Sequence, residues 1–190
     1  MATSEYFQDL SNLINIDKNE ISKLADLILE CSKNNNSIWI FGNGGSASTA
    51  EHLETDLSFI RHDIKTLKIR ASALTSNSAL ITAIANDVGF ENIFSHQLLR
   101  KAIQGDLCIV ISASGKSSNL IKAVKIAKQI GLRTIGLLGF DGGDLAKQVD
   151  FSIVVETEIG KYGPVEDVHL AICHAISEKL LIKIKNMDMN

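Results

Sequence analysis

His52 and Asp56 stand four residues apart in a stretch with helical patterning, so their side chains leave the same face. Near the C-terminus Asp167 and His174 are seven apart and nearly eclipsed on a helix. Glu166, eight residues before His174, is about 80° off that line and can still converge with it on one object. His169 lies well round the same helix from His174. Glu54, two residues from both His52 and Asp56, points away from them toward solvent. Imidazole beside carboxylate is the equipment of general acid–base catalysis. Two histidines with two carboxylates also suit Zn²⁺ or a similar divalent ion. Spacing alone does not bring the two helices together, and any one of these histidines, taken singly, is a hydrogen-bonded structural residue.

Two further stretches have the form strand, small-residue turn, helix. The first is Ile40-Phe41-Gly42-Asn43-Gly44-Gly45-Ser46. The second runs Val110-Ile111-Ser112-Ala113-Ser114-Gly115-Lys116-Ser117-Ser118-Asn119. Glycine lets backbone approach a ligand closely, and serine hydroxyls with helix-start amides can surround a phosphate. A tight turn with serine N-caps accounts equally well for the first loop. Four serines between 112 and 118 exceed what one cap requires, and there anion binding is the better reading. Neither loop has the Walker A spacing, and position 47 is Ala where a dinucleotide fingerprint needs its third glycine.

The elements that must position these groups alternate along the chain. Residues 5–33 carry two helical segments with an apolar face of Ile14, Ile16, Ile21, Leu24, Ile28 and Leu29. Strands are expected at 37–41, 67–74, 106–111, 133–138 and 152–155. Helices are expected at 46–61, 78–84, 92–102, 118–130 (ended by Gly131 as a C-cap) and 166–185, with a helical turn at 144–148. Pro164, the single proline, falls just before the last helix. Fully apolar strands separated by helices mean a parallel sheet covered on both faces, which places both loops at the carboxyl ends of strands.

The whole chain of 190 residues fits one domain. A formal charge of −3 supplies no basic field for nucleic acid or membrane, and no stretch approaches the length and apolarity of a transmembrane span. An acidic, unpatterned start argues against a secretory signal, and a cytoplasmic location is expected. Cys31, Cys108 and Cys173 are odd in number and widely spaced, which fits core packing rather than a disulfide framework or zinc knuckle.

Five segments, in order, resemble the sugar isomerase (SIS) domain and, within it, the phosphoheptose isomerases: "FGNGGSASTAEHL", "SALITAIANDVGFENIFSHQ", "ISASGKSSNLIKA", "GLLGFDGG" and "VEDVHLAICHAI". The resemblance spans nearly the whole length. It implies a flavodoxin-like three-layer α/β/α sandwich on a five-stranded parallel sheet, a single SIS domain over 1–190. The helical segment 1–36 would pack on the domain and the oligomer. It implies a homotetramer with active sites between subunits. The implied reaction converts sedoheptulose 7-phosphate to D-glycero-D-manno-heptose 7-phosphate for bacterial surface polysaccharide. Carried over by position, Ser112, Ser114 and Ser117 hold phosphate, Asn43, Gly44 and Ser46 meet sugar and phosphate, and Asn86 and Asp87 contact the sugar. His52, Asp56, Glu166 and His174 fall on the family's Zn²⁺ ligands, and His174 with a carboxylate, Asp56 or Glu166, on its acid–base pair.

Two of these positions depart from the family: Asp56 stands where it has Glu, and Glu166 where it has Gln. Asp shortens the reach by a methylene, while the second carboxylate makes the ligand set formally neutral around Zn²⁺. Glu166 can then serve as the longer carboxylate. Ala113 replaces a frequent Thr. Two other readings stay open on the residues: an isomerase for another phosphosugar, and a non-catalytic tetrameric SIS protein of the kind that associates with a replication initiator.

Overall fold

The computed structural model describes residues 3–14, 16–60 and 67–188. Helices α1 (Thr3–Leu13) and α2 (Lys18–Lys33) precede β1 (Ser37–Gly42), α3 (Gly45–Ser58), β2 (Arg70–Ala73) and α4 (Ser78–Asp87). A 3₁₀ turn at Phe90–Asn92 leads to α5 (Ser95–Lys101). Then come β3 (Leu107–Ser112), α6 (Ser118–Ile130), β4 (Arg133–Gly139), the single turn α7 (Gly143–Ala146), β5 (Phe151–Val155) and α8 (Tyr162–Asp188).

All strand pairs are parallel, and the sheet order is β2-β1-β3-β4-β5. Alternation along each strand splits the core in two. Ile38, Ile40, Leu107, Ile109 and Ile111 face a layer made by α2, α3 and α8, with α1 laid against it. Trp39, Phe41, Cys108 and Val110 face α4, α5, α6 and α7. Each large side chain fully buried this way contributes about 1.5–3 kcal/mol of transfer free energy. The expected three layers and five parallel strands are present.

Boundaries differ where tertiary contacts overrule local pattern. β2 covers only 70–73 rather than 67–74, as an edge strand with one neighbour. The segment expected as one helix over 92–102 opens with the 3₁₀ turn and becomes α-helical only at Ser95. α3 ends at Ser58, and Arg61, the expected terminus, lies outside the described residues. α8 starts at Tyr162, so Pro164 sits inside its first turn, where the missing N–H has no intrahelical partner to lose. The three cysteines are free and buried.

From β1 the chain steps outward to β2, then crosses back beside β1 to start β3. The direction of winding therefore reverses between the carboxyl ends of β1 and β3, the crevice where open α/β sheets take ligands.

Candidate active site

The two small-residue loops flank that crevice. Gly42 ends β1, and a Cβ there would lie 2.7 Å from the Ile111 carbonyl of β3 and from Ser46, so the close approach demands glycine. Gly44 caps α3 at φ 55° with nothing within 4 Å of the space a side chain would fill. Ser46 is buried in the first turn of α3.

In the second loop Ser112 is 4% exposed, and its Oγ accepts from Gly115 N at 3.0 Å, closing the turn. Ser114 is half-buried, with Oγ accepting from Lys116 N at 3.3 Å. Ser117 occupies the N-cap of α6 in extended conformation yet makes no side-chain capping bond. Its hydroxyl is thus left available beside the first α6 amides. Gly142 and Gly143 buttress this loop from behind: a Cβ on Gly115 would be 2.1 Å from the Gly142 carbonyl, and Leu145 N donates to Gly115 O at 3.0 Å. Sequence reasoning missed two parts of this arrangement. One is the "FDGG" buttress, and the other is Asn119, which is 2% exposed and bonded to Asn43 across the crevice. Asn119 stands at the end of the serine-loop stretch in sequence, but its bond to Asn43 depends on the strand order and has no local signal.

α3 and α8 lie side by side in parallel register. The Glu166 carboxylate sits over Gly45, His52 meets His174, and Asp56 meets Ser177. His52 Nε2 and His174 Nε2 are 2.8 Å apart, and His52 Nε2 is 3.6 Å from Asp56 Oδ1. Ligand atoms of His52, Asp56 and His174 all fall within 4.8 Å of one another. They line an open groove of about 430 Å³ with Thr55, Phe59, Ile60, Ser177, Glu178 and Leu181.

Of the four expected ligands, three come together and Glu166 does not join them. Eight residues of helix separate it from His174 by about 12 Å along the axis. Its carboxylate occupies the space over Gly45 at the start of α3 instead, where the helix dipole favours negative charge. Asp167 is likewise apart, accepting from Tyr6 Oη on α1.

Glu54 does not face solvent as expected. It is half-buried, and its Oε2 accepts from Ala73 N at 2.9 Å and Ser76 Oγ at 3.0 Å, tying α3 to the end of β2. His169 is fully buried beside the Leu138 backbone, and neither ring nitrogen has a hydrogen-bond partner. Burial holds its imidazole down at about 4. Asn86 and Asp87 are exposed at the end of α4, where Asn86 Nδ2 donates to Asp87 Oδ1 at 2.7 Å. No hydrogen bond among the described residues joins either to the two loops.

A doubly wound parallel sheet with glycine and serine loops at its switch point, and an imidazole–carboxylate cluster on the adjoining helices, defines an α/β domain built for a small anionic substrate. Comparison with known proteins narrows this class. The SIS domain family matches residues 4–139. The chain is 40% identical over 161 residues to the phosphoheptose isomerase of Geotalea daltonii, covering 85% of this chain and 82% of that one. Among solved structures it is similar to the phosphoheptose isomerase of Neisseria gonorrhoeae (TM-score 0.83, 30% identity, 93% of each chain). It is also similar to that of Francisella tularensis (TM-score 0.80, 27% identity, 93% of this chain and 92% of that one). The chain belongs to the SIS-domain family and, within it, to the phosphoheptose isomerases. No helix among the described residues is long and apolar enough to cross a membrane.

Proposed function

We propose that the protein is an aldose–ketose isomerase that converts sedoheptulose 7-phosphate to D-glycero-D-manno-heptose 7-phosphate through an enediol, in the synthesis of bacterial surface heptose. The observation that carries this reading is the meeting of His52, Asp56 and His174 in one groove on helices whose neighbours form the switch-point loops. The similarity to phosphoheptose isomerases supplies the sugar.

Ser112, Ser114 and Ser117 hold the phosphate at the start of α6, anchoring the end of the sugar remote from the chemistry. Asn43, Gly44 and Ser46 contact the sugar, and Asn86 and Asp87 reach it from α4. Asp56 takes a proton from C1 of the open-chain ketose while His174 donates one to the C2 oxygen, giving the enediol. His174 then recovers a proton from the C1 oxygen as Asp56, whose carboxyl proton exchanges with solvent in the open groove, delivers a proton to C2, leaving an aldehyde at C1. No proton is gained or lost overall. Glu166, over the Gly45 turn and about 12 Å along α8 from His174, lies away from this proton transfer.

The three clustered donors fit Zn²⁺. Tetrahedral Zn²⁺ with bonds near 2.0–2.1 Å separates its ligands by about 3.3 Å; His52 lies 2.8 Å from His174 and 3.6 Å from Asp56, and all three donors fall within 4.8 Å of one another. His52, Asp56 and His174 would hold the ion, one per chain, leaving its fourth position to water or substrate, because Glu166 lies over Gly45 away from the cluster; when bound it would polarise the substrate carbonyl. The assembly in this reading is a cytoplasmic homotetramer with its sites between subunits. The test is incubation with sedoheptulose 7-phosphate, with added Zn²⁺ and separately with a chelator, following aldose formation. Turnover abolished by the chelator and restored by Zn²⁺ is expected. A folded protein without turnover in any condition overturns the proposal.

A further inference from the structure

The last register pair between β1 and β3 is Gly42 with Ile111, after which the two chains diverge into their loops. One link crosses the gap beyond it. Asn43 Nδ2 donates to Asn119 Oδ1, and Asn119 Nδ2 donates to Asn43 Oδ1, each at 2.9 Å. Asn119 Oδ1 also accepts from Leu120 N at 2.9 Å, which fixes the amide against the start of α6. No other side-chain hydrogen bond among the described residues joins 43–46 to 112–119. Asn119 is 2% exposed, whereas Asn43 is half-buried at the mouth of its turn. A carboxamide carries two N–H donors and two lone pairs on its oxygen. The pairing occupies one of each on Asn43 and leaves one of each to meet a ligand.

We infer that Asn119 is a positioning residue: it holds the Asn43–Ser46 turn in register with the Ser112–Ser117 loop so that one ligand can engage both. This rests on reading the two loops as the sugar and phosphate halves of a single isomerase site. Asn119 is too buried to touch substrate and acts through Asn43. A ligand that fills only the phosphate half does not need the register, whereas a phosphosugar spanning both halves does. The two therefore respond differently when the link is cut.

Two substitutions cut it in different ways. Asn119→Ala removes both bonds and leaves Asn43 free to turn. Asn119→Asp keeps the size of the side chain and its bond from Leu120 N, and a carboxylate in the first turn of α6 favours the helix. It cannot donate to Asn43 Oδ1, so two acceptors face each other there, but its carboxylate still accepts from Asn43 Nδ2, and only half of the link is lost. The added charge weakens all phosphate ligands alike, so the ratio between ligands isolates the loss of register.

The experiment measures KM for sedoheptulose 7-phosphate, the inhibition constant of inorganic phosphate, and thermal melting, in the wild type and both variants. The ratio of KM to the phosphate constant is expected to rise about five- to tenfold in Asn119→Ala and by less in Asn119→Asp, with Asn119→Asp melting near the wild type. Equal weakening of both ligands, or an unchanged KM in a folded variant, overturns the inference. Should the wild type fail to isomerise, calorimetric dissociation constants of the same two ligands give the same ratio. Failure of the isomerase reading thus shows as absent turnover, and failure of the link as an unchanged ratio.

Discussion

At the amino edge of the sheet, Asp106 is 1% exposed and accepts from Ser37 N and Trp39 Nε1, both at 2.8 Å, and from Ile103 N at 3.0 Å. At the start of β5, Asp150 accepts from Thr134 N and Oγ1 and pairs with Lys128 at 2.9 Å. At the carboxyl edge Ser117 caps α6 without using its hydroxyl, and Gly44 opens onto empty space. The amino edge satisfies its polar groups within the chain, and the carboxyl edge holds some of them back. Polar groups placed for a ligand are ones that folding does not consume, so the first edge governs stability and the second governs binding.

The largest effect that can break this contrast lies on the helices beside the carboxyl edge. His174→Ala is expected to lower kcat about 10³-fold, with a melting temperature close to wild type because the ring is exposed. A large loss of stability with retained turnover would place His174 in the fold rather than in the chemistry. Asp106→Ala should do the reverse. Orphaning one buried and two part-buried donors costs about 3 kcal/mol in urea unfolding while KM stays unchanged in the folded fraction.

His169 cuts across the contrast, being a polar group of α8 buried without a partner. Its folded pKa of about 4 lies below the ordinary 6.5, so the unfolded chain takes up a proton first as pH falls. The stability it confers is complete above pH 6.5 and is lost progressively toward pH 4, in total about 3 kcal/mol. Denaturant titrations across that window should show a shallower decline in His169→Leu than in wild type. Parallel declines would remove His169 as the cause. The smallest effect is Ser117→Ala. It should raise KM about fivefold and leave stability within about 0.5 kcal/mol, the signature of a hydroxyl that serves only a ligand. A drop in melting temperature without a change in KM would make it an ordinary cap.

How much of this was legible in the chain follows from the range of the forces involved. β1 and β3 declare themselves because their residues are apolar on both faces, and α6 because Gly131 ends it at φ 94°. β2, with Arg70 exposed and only Ala73 buried, carries little pattern of its own and exists through its pairing with β1. The His52–Asp56 face was legible from helix spacing. The α3–α8 register was not, since it depends on packing between elements far apart in sequence. That register decides that Glu166 lands on Gly45 and His174 on His52. Glu54 was misjudged for the same reason: its partners, Ala73 and Ser76, arrive through the β2 pairing. The Asn43–Asn119 link needs the strand order itself, which no local signal contains.

The central claim is that the groove shared by α3 and α8 moves a proton between adjacent carbons of a sugar held at the carboxyl edge. It is tested most directly by running the reaction on sedoheptulose 7-phosphate in D₂O and following the aldose C2 position by NMR. The wild type is expected to form aldose carrying solvent deuterium at C2, and Asp56→Asn, with its fold intact, to form neither aldose nor label. Labelled aldose from Asp56→Asn at the wild-type rate would contradict the account.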